Sequence, residues 1–305
     1  MTIAFIHPHK AFLPEVDAYC KFFSDHQINT VVLGPKEIAT VEADVEWHFM
    51  GTDKGGKKTA VKIHEYASAS APPFNDKKDM IKKIITAKPD YRLFLNEYVR
   101  KQFDFKDLVP FGYRDMGIDL SFFQSNNKKE KDFDFIYTGS INKERKILKL
   151  IKCFAEGTMR QKSLLILSKD YKWLKNKFKS CKNIFFEGPV SQNEVSDYIL
   201  RSRFAINFII DKEPFNQQTS TKFLEYAALK IPIISTEYEW IKKFQIQYGG
   251  EYFYLKNDLS NFNWNEIACH PYSFPQLTEW TWEKQIRKSG VLEFLQSTYP
   301  ELLFT

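Results

Sequence analysis

From end to end the chain alternates short runs rich in β-branched and aromatic residues with segments of helical periodicity, and no other feature restricts its fold as much. Strands that follow one another in parallel need a crossover, usually a helix, so the pattern predicts mainly parallel sheets covered by helices. In the first half, strands are expected over 3–6, 30–33, 45–50, 60–66, 91–96 and 108–111. Helices fit over 14–26, where Pro14 suits a first turn, and over 76–87. Residues 125–132, SNNKKEKD, hold no apolar side chain and read as a linker. A second series follows, with strands over 133–138, 164–167, 183–186, 204–210 and 231–235 and helices over 143–156, 191–201 and 221–229. The tail over 279–299, with Trp280 and Trp282 near its start, reads as one more helix.

The expected architecture is therefore α/β, with two doubly wound Rossmann-like domains facing each other across a cleft. The boundaries expected are 1–128 for the first domain, 129–278 for the second, and 279–305 for a helix packing back on the first. Sheets of this kind bind ligands at the carboxyl ends of their strands, so the loops at those ends are where functional residues are sought.

Composition narrows the class. At 305 residues, with 43% apolar and 27% charged side chains, the chain has an ordinary globular balance and is long enough for two cores. The 44 basic and 38 acidic residues leave a formal charge of +6, which suits phosphate ligands or an anionic membrane face and falls short of a nucleic-acid footprint. Cys20, Cys153, Cys181 and Cys269 stand singly, with neither metal-ligand spacing nor a disulfide framework. The strand-like IAFI straight after the first residues leaves no room for a signal peptide, and no apolar stretch reaches membrane-spanning length. A cytoplasmic location is expected, with at most peripheral contact at the inner face of the membrane.

Two common nucleotide signatures are missing: no GxxxxGK[ST] loop and no GxGxxG follows a strand. Asp132-Phe133-Asp134 matches a metal-holding DxD pattern but sits where a strand begins, not where one ends, and is read as strand-entry charge. The informative segment is 214–236, PFNQQTSTKFLEYAALKIPIIST. A polar loop leads from a buried strand into a helix that opens with Ser220 and Thr221, offering amides and a positive dipole end to a phosphate. Lys222 in the first turn opposes the dipole, and a phosphate partner accounts for it. Glu225, one turn on, lies within reach of a hydroxyl-rich group such as ribose. The same residues would also make a capped amphipathic helix with a solvated glutamate, and the physics alone leaves both readings open.

The run TKFLEYAALKIPIIST resembles the signature helix and strand in the C-terminal domain of GT-B glycosyltransferases, especially family four. Tyr137-Thr138-Gly139-Ser140-Ile141-Asn142-Lys143-Glu144-Arg145-Lys146 resembles the first strand and loop of that domain, and residues 185–190, FFEGPV, resemble the segment framing the nucleotide base. The three occur in family order. The resemblance implies a GT-B fold, with Glu225 on the ribose. Gly139, Ser140, Arg145, Lys146, Lys222 and the Ser220 and Thr221 amides would face the diphosphate, with Gly188, Pro189 and Val190 along the base. Two positions depart from the family. Gln217 stands where retaining members carry a second glutamate, and Ser140 where an arginine usually follows the loop glycine. Glutamine still hydrogen-bonds a sugar hydroxyl but carries no charge.

In the first domain, strand-end positions single out His9, Glu15, Asp17 and His64 as candidates for a general base. The lysine-rich helix with Met80, Ile81, Ile84 and Ile85 is most simply a surface helix with a buried stripe, and alternatively a membrane-docking face. The function expected is a metal-independent, cofactor-free glycosyltransferase using a UDP- or GDP-linked donor on a bacterial surface glycan or lipid-linked oligosaccharide, with retention of configuration. An inverting transferase with a first-domain base, a nucleotide-sugar epimerase and a non-catalytic nucleotide-sugar-binding module are the alternatives.

Overall fold

The computed structural model describes residues 1–8, 13–49, 53, 55, 60–70, 75–124, 129–141, 146–169 and 171–304. The chain divides into two compact units, Met1–Gly117 with Glu279–Thr305, and Ile118–Thr278. The first division falls ahead of the expected boundary after residue 128, because the short helix that follows packs against a helix of the second unit.

In the first unit the order is β1 (Thr2–Ile6), α1 (Pro14–Asp25), β2 (Asn29–Leu33), β3 (Val45–Phe49), β4 (Val61–Tyr66), α2 (Asn75–Ile85), β5 (Tyr91–Phe94), α3 (Glu97–Phe103) and β6 (Phe111–Tyr113). The second unit contains α4 (Leu120–Gln124), β7 (Phe133–Thr138), α5 (Leu148–Ala155), β8 (Leu164–Leu167), α6 (Tyr171–Lys177), β9 (Ile184–Glu187), α7 (Gln192–Leu200), β10 (Ser202–Asn207), α8 (Thr221–Ala228), β11 (Ile233–Thr236), α9 (Glu239–Tyr248), β12 (Phe253–Leu255) and α10 (Trp264–Cys269). The helices α11 (Trp282–Lys288) and α12 (Val291–Thr298) complete the first unit. It is α4 that packs on α8.

Each unit is built on a six-stranded parallel sheet, ordered β2-β1-β3-β4-β5-β6 and β12-β11-β10-β7-β8-β9. Strand order reverses at β1/β3 and at β7/β10, and a crevice for a ligand opens at such points. One face of the first sheet is packed with rings: Trp47 lies 5.5 Å from Phe5 and 4.5 Å from Tyr19 between centroids, all buried. In the second unit Phe135 plays the same part, at 5.2 Å from Phe154 and 5.5 Å from Phe204.

The tail departs from its expected single helix. Gly290 takes φ +75°, a left-handed conformation that separates α11 from α12 at little cost only for glycine. The two helices then pack on α1 and β5, respectively. Gly112 of β6 permits this approach, since a Cβ there would meet the Ser289 carbonyl oxygen at 1.8 Å. Tyr91 donates to the same carbonyl at 3.1 Å.

Two other expectations change. The last strand of the first sheet runs over Phe111–Tyr113 instead of ending at 111. The apolar stripe of α2 is not buried: Met80, Ile81, Ile84 and Ile85 are all exposed, whereas Asp79 faces the fold and accepts from the Ser70 amide at 3.3 Å.

Candidate functional site

In the second unit the strand ends at the β7/β10 reversal are tied to the start of α8 by buried polar contacts. Ser220, just before the helix, donates to Asn207 Oδ1 at 2.8 Å. Asn207 in turn donates to Ser235 Oγ at 2.9 Å and to the Tyr238 hydroxyl at 3.1 Å. With its hydroxyl spent on the strand, Ser220 makes no side-chain cap, and any anion contact by Ser220 would come from its backbone. Further along the helix, the Tyr226 hydroxyl accepts from the Thr138 amide at 2.9 Å and bonds its Oγ1 at 2.9 Å. These bonds lock the first turns of α8 against the end of β7. Burying this many polar groups is tolerable because each has a partner.

Lys222 is buried, its Nζ donating to the Thr138 carbonyl at 3.3 Å and lying 4.1 Å from the centre of the Tyr137 ring. The same ammonium is 3.8 Å from where a Cβ would stand on Gly139, whose φ is +118°. Glycine thus leaves the backbone of the β7–α5 turn bare beside a desolvated positive charge. Glu225, one turn along α8, is half-buried and its carboxylate has no hydrogen-bond partner among the described residues. Burial pushes its pKa up to about 7, against the opposing pull of Lys222. An unpaired carboxylate, a buried ammonium, an open glycine turn and a helix start converge at one strand-reversal point. The geometry suits an anionic group joined to a hydroxyl-bearing one.

Of the other expected residues, Ser140 is half-buried and its carbonyl accepts from the Tyr137 hydroxyl at 3.2 Å. Lys146 is exposed just before α5, with φ +52°. Thr221 and Gln217 are half-buried, Gln217 in a short 3-10 turn before α8. Gly188, Pro189 and Val190 follow β9, two strands from β7, and a Cβ on Gly188 would sit 3.1 Å from the Tyr171 ring. Arg145 lies outside the described residues. Asp132 pairs with Arg201 at 2.5 Å, and Asp134 holds Ser163 through its amide at 2.9 Å, so both acids are taken up by local contacts at the start of β7. Among the described residues no group of three His, Cys, Asp or Glu side chains is placed to hold a metal ion.

The first unit places its candidates differently. His9 lies outside the described residues, and Asp17 is exposed on α1. Glu15 is buried: one oxygen is 3.4 Å from Arg114 Nη2, and Oε2 has no partner. The Arg114 guanidinium also binds Glu65 and donates to the Tyr19 hydroxyl at 3.1 Å, and Glu65 accepts from the Trp47 indole at 2.8 Å. His64 is fully buried, its Nε2 3.3 Å from Asp53. Burial lowers its pKa, so the ring is neutral at pH 7. Enclosed in this way, His64 and Glu15 do not stand as bases open to an acceptor, which corrects that expectation.

Sequence reasoning missed the partners that make these networks, namely Arg114, Asp53, His48, Lys62 and Glu46. Lys62 bonds Asp53 at 2.9 Å and His48 bonds Glu46 at 3.2 Å. Burial would raise the Asp53 pKa, but the bonds from His64 and Lys62 outweigh it and hold the carboxyl well below its usual range. Alternation along VKIHEY and VEWHF, with a charged or imidazole side chain at every second position, was the available signal for a polar sheet face.

No protein-family model matches the sequence, and no curated protein is significantly similar to it. Solved structures do match along the whole length. Sucrose-phosphate synthase from Thermosynechococcus elongatus superposes with a TM-score of 0.64 at 11% identity, covering 99% of both chains. AviGT4, a glycosyltransferase involved in avilamycin A biosynthesis, gives 0.60 at 12% identity over 99% of this chain and 98% of its own. The chain has the GT-B fold. A third neighbour, UDP-GlcNAc 2-epimerase from Methanocaldococcus jannaschii, gives 0.51 at 11% identity over 96% of this chain and 100% of its own. At these identities the likeness speaks for the GT-B fold alone.

Proposed function

We propose that this protein is a glycosyltransferase that takes its sugar from a nucleotide-linked donor held by the second unit. The observation that carries the reading is the Lys222 ammonium beside the bare Gly139 turn, with the unpaired Glu225 carboxylate one helical turn away. In this reading the diphosphate lies against Lys222, Gly139, Ser140 and the first amides of α8. Glu225 accepts from the ribose hydroxyls, and residues 188–190 with Tyr171 flank the base. Gln217 is assigned to a donor-sugar hydroxyl, and Lys146 with Arg145 to the diphosphate. Charge that develops on the departing diphosphate is stabilised by the preorganised ammonium and amides, so the protein itself supplies the electrostatics of the step.

The donor is a UDP- or GDP-sugar and the acceptor a glycan or lipid-linked oligosaccharide, with retention of configuration and no bound metal. The reading carries with it a cytoplasmic location. The test is one incubation series with UDP- and GDP-sugars, with and without acceptor oligosaccharides, in excess chelator. Release of nucleoside diphosphate that depends on acceptor is expected, and the NMR anomeric coupling of the product reports the configuration. Isomerised donor in the absence of acceptor would instead establish an epimerase, the activity named for one structural neighbour. Binding with no turnover would leave a carrier module.

Donor binding should also depend on pH through Glu225. Its pKa stands near 7 instead of the usual 4.5, and the ionised carboxylate is the better acceptor for a diol. Nucleoside diphosphate affinity is therefore expected to rise about tenfold between pH 5.5 and pH 8, and Glu225→Gln should remove that part of the pH profile. The sign for the ligand-free fold is opposite. A carboxyl whose pKa is raised on folding favours the fold most below about pH 4.5, and that advantage is lost as pH rises through 7. Glu225→Gln should accordingly raise stability at pH 8 by about 2 kcal/mol while weakening the ligand. Isothermal titration and thermal melts of both proteins at the two pH values check this; parallel profiles would remove Glu225 from the site.

A further inference from the structure

We infer that the exposed face of α2 in the first unit is a docking surface for an anionic lipid bilayer. Met80, Ile81, Ile84 and Ile85 are 55%, 51%, 74% and 54% exposed. At 3.6 residues per turn these four fall within an arc of about 140°, and Asp79 points to the opposite side. That opposite side is the one the fold holds, through the Asp79 bond from the Ser70 amide. The helix is thus seated through Asp79 and turns its aliphatic side outward, the reverse of an ordinary surface helix.

Charge identifies the occupant. Asp107 is taken by Arg92 at 2.5 Å, Asp104 by Lys106 at 2.8 Å, and Glu97 by Lys101 at 2.9 Å. Asp90 accepts from the Lys62 amide at 2.8 Å. Over 75–88 the sequence carries five lysines against two acids, Asp76 and Asp79, so the charge around the aliphatic side chains is positive, and among the described residues Lys83 and Lys88 form no ion pair. The other three are Lys77, Lys78 and Lys82. Exposed aliphatic side chains on a lysine-rich segment of net positive charge fit the headgroup–acyl boundary of a bilayer bearing anionic lipids. A second copy of the chain would set lysine against lysine across a two-fold axis, which disfavours self-pairing here.

The surface lies in the first unit and needs no assumption about transfer, so its test is independent of the donor reading. The whole chain is sedimented with vesicles of phosphatidylcholine alone and of phosphatidylcholine with one-third phosphatidylglycerol. Binding to the anionic vesicles at low salt is expected, with at least tenfold weaker partition at about 0.5 M salt. Ile81→Gln/Ile84→Gln should lower the partition at least tenfold, and Lys88→Glu should lower it further at low salt. Both variants alter exposed positions, so melting temperature and nucleoside diphosphate binding should stay at wild-type values. The inference is overturned if wild type ignores anionic vesicles at low salt, or if the isoleucine variant partitions as wild type. It is equally overturned if these side chains prove to hold a dimer in sedimentation velocity.

Discussion

Replacing Lys222 by alanine is expected to weaken nucleoside diphosphate binding about 100-fold, with a much smaller effect on the unphosphorylated nucleoside. The reason lies in how the ammonium is held. It is buried, fixed by the Thr138 carbonyl at 3.3 Å and by the Tyr137 ring, and points at a turn kept bare by Gly139. A charge already desolvated and positioned gains more from a phosphate than a mobile surface lysine would, and a charge-assisted bond of this kind is worth about 1.5–3 kcal/mol. Lys222→Arg should recover little, because the guanidinium is larger than the slot between ring and turn. Isothermal titration with a nucleoside and its diphosphate separates the two contributions. Equal losses for both ligands would show that the variant had disturbed α8 as a whole, and no loss would place the diphosphate elsewhere.

Replacing Arg114 by leucine is expected to destabilise the first unit by about 3–5 kcal/mol. Arg114 is fully buried and holds two buried carboxylates, Glu15 and Glu65, along with the Tyr19 hydroxyl. Its guanidinium also lies 5.4 Å from the Trp282 ring, so it joins α1, β4 and α11. Removing it leaves two acids facing each other with no cation, and at least one must take up a proton or the segment must open. Arg114→Leu/Glu15→Gln/Glu65→Gln should recover much of the loss at pH 7. Urea melts of the single and triple variants decide it: a single variant within about 1 kcal/mol of wild type would mean that the cluster contributes little to stability.

The architecture was legible in the residue pattern. Alternating strand and helix patterns over both halves left only parallel, helix-covered sheets, because a parallel pair requires a crossover and β-rich segments of four to six residues cannot bury both faces otherwise. The pattern also marked the converging residues of the second unit, since Gly139, Ser220, Lys222 and Glu225 lie in short segments whose conformation is set locally by a turn and a helix start. Gly188 to Val190 and Lys146 were marked in the same way, and the tertiary structure adds only where they fall along the strand ends.

What tertiary structure alone decided are the relations between residues distant in the chain. Arg114 reaches Glu15 and Glu65 across 99 and 49 positions, and no local pattern announces such a pair. His64 looked like a strand-end base in the sequence, yet it is enclosed against Asp53 because β4 is an interior strand with both faces covered. The direction of α2 is the plainest case. Its periodicity specifies a two-sided helix, and periodicity is the same whichever side meets the sheet. The tertiary structure decides it: Asp79 is turned to the fold, where it meets the Ser70 amide, and the isoleucines face outward.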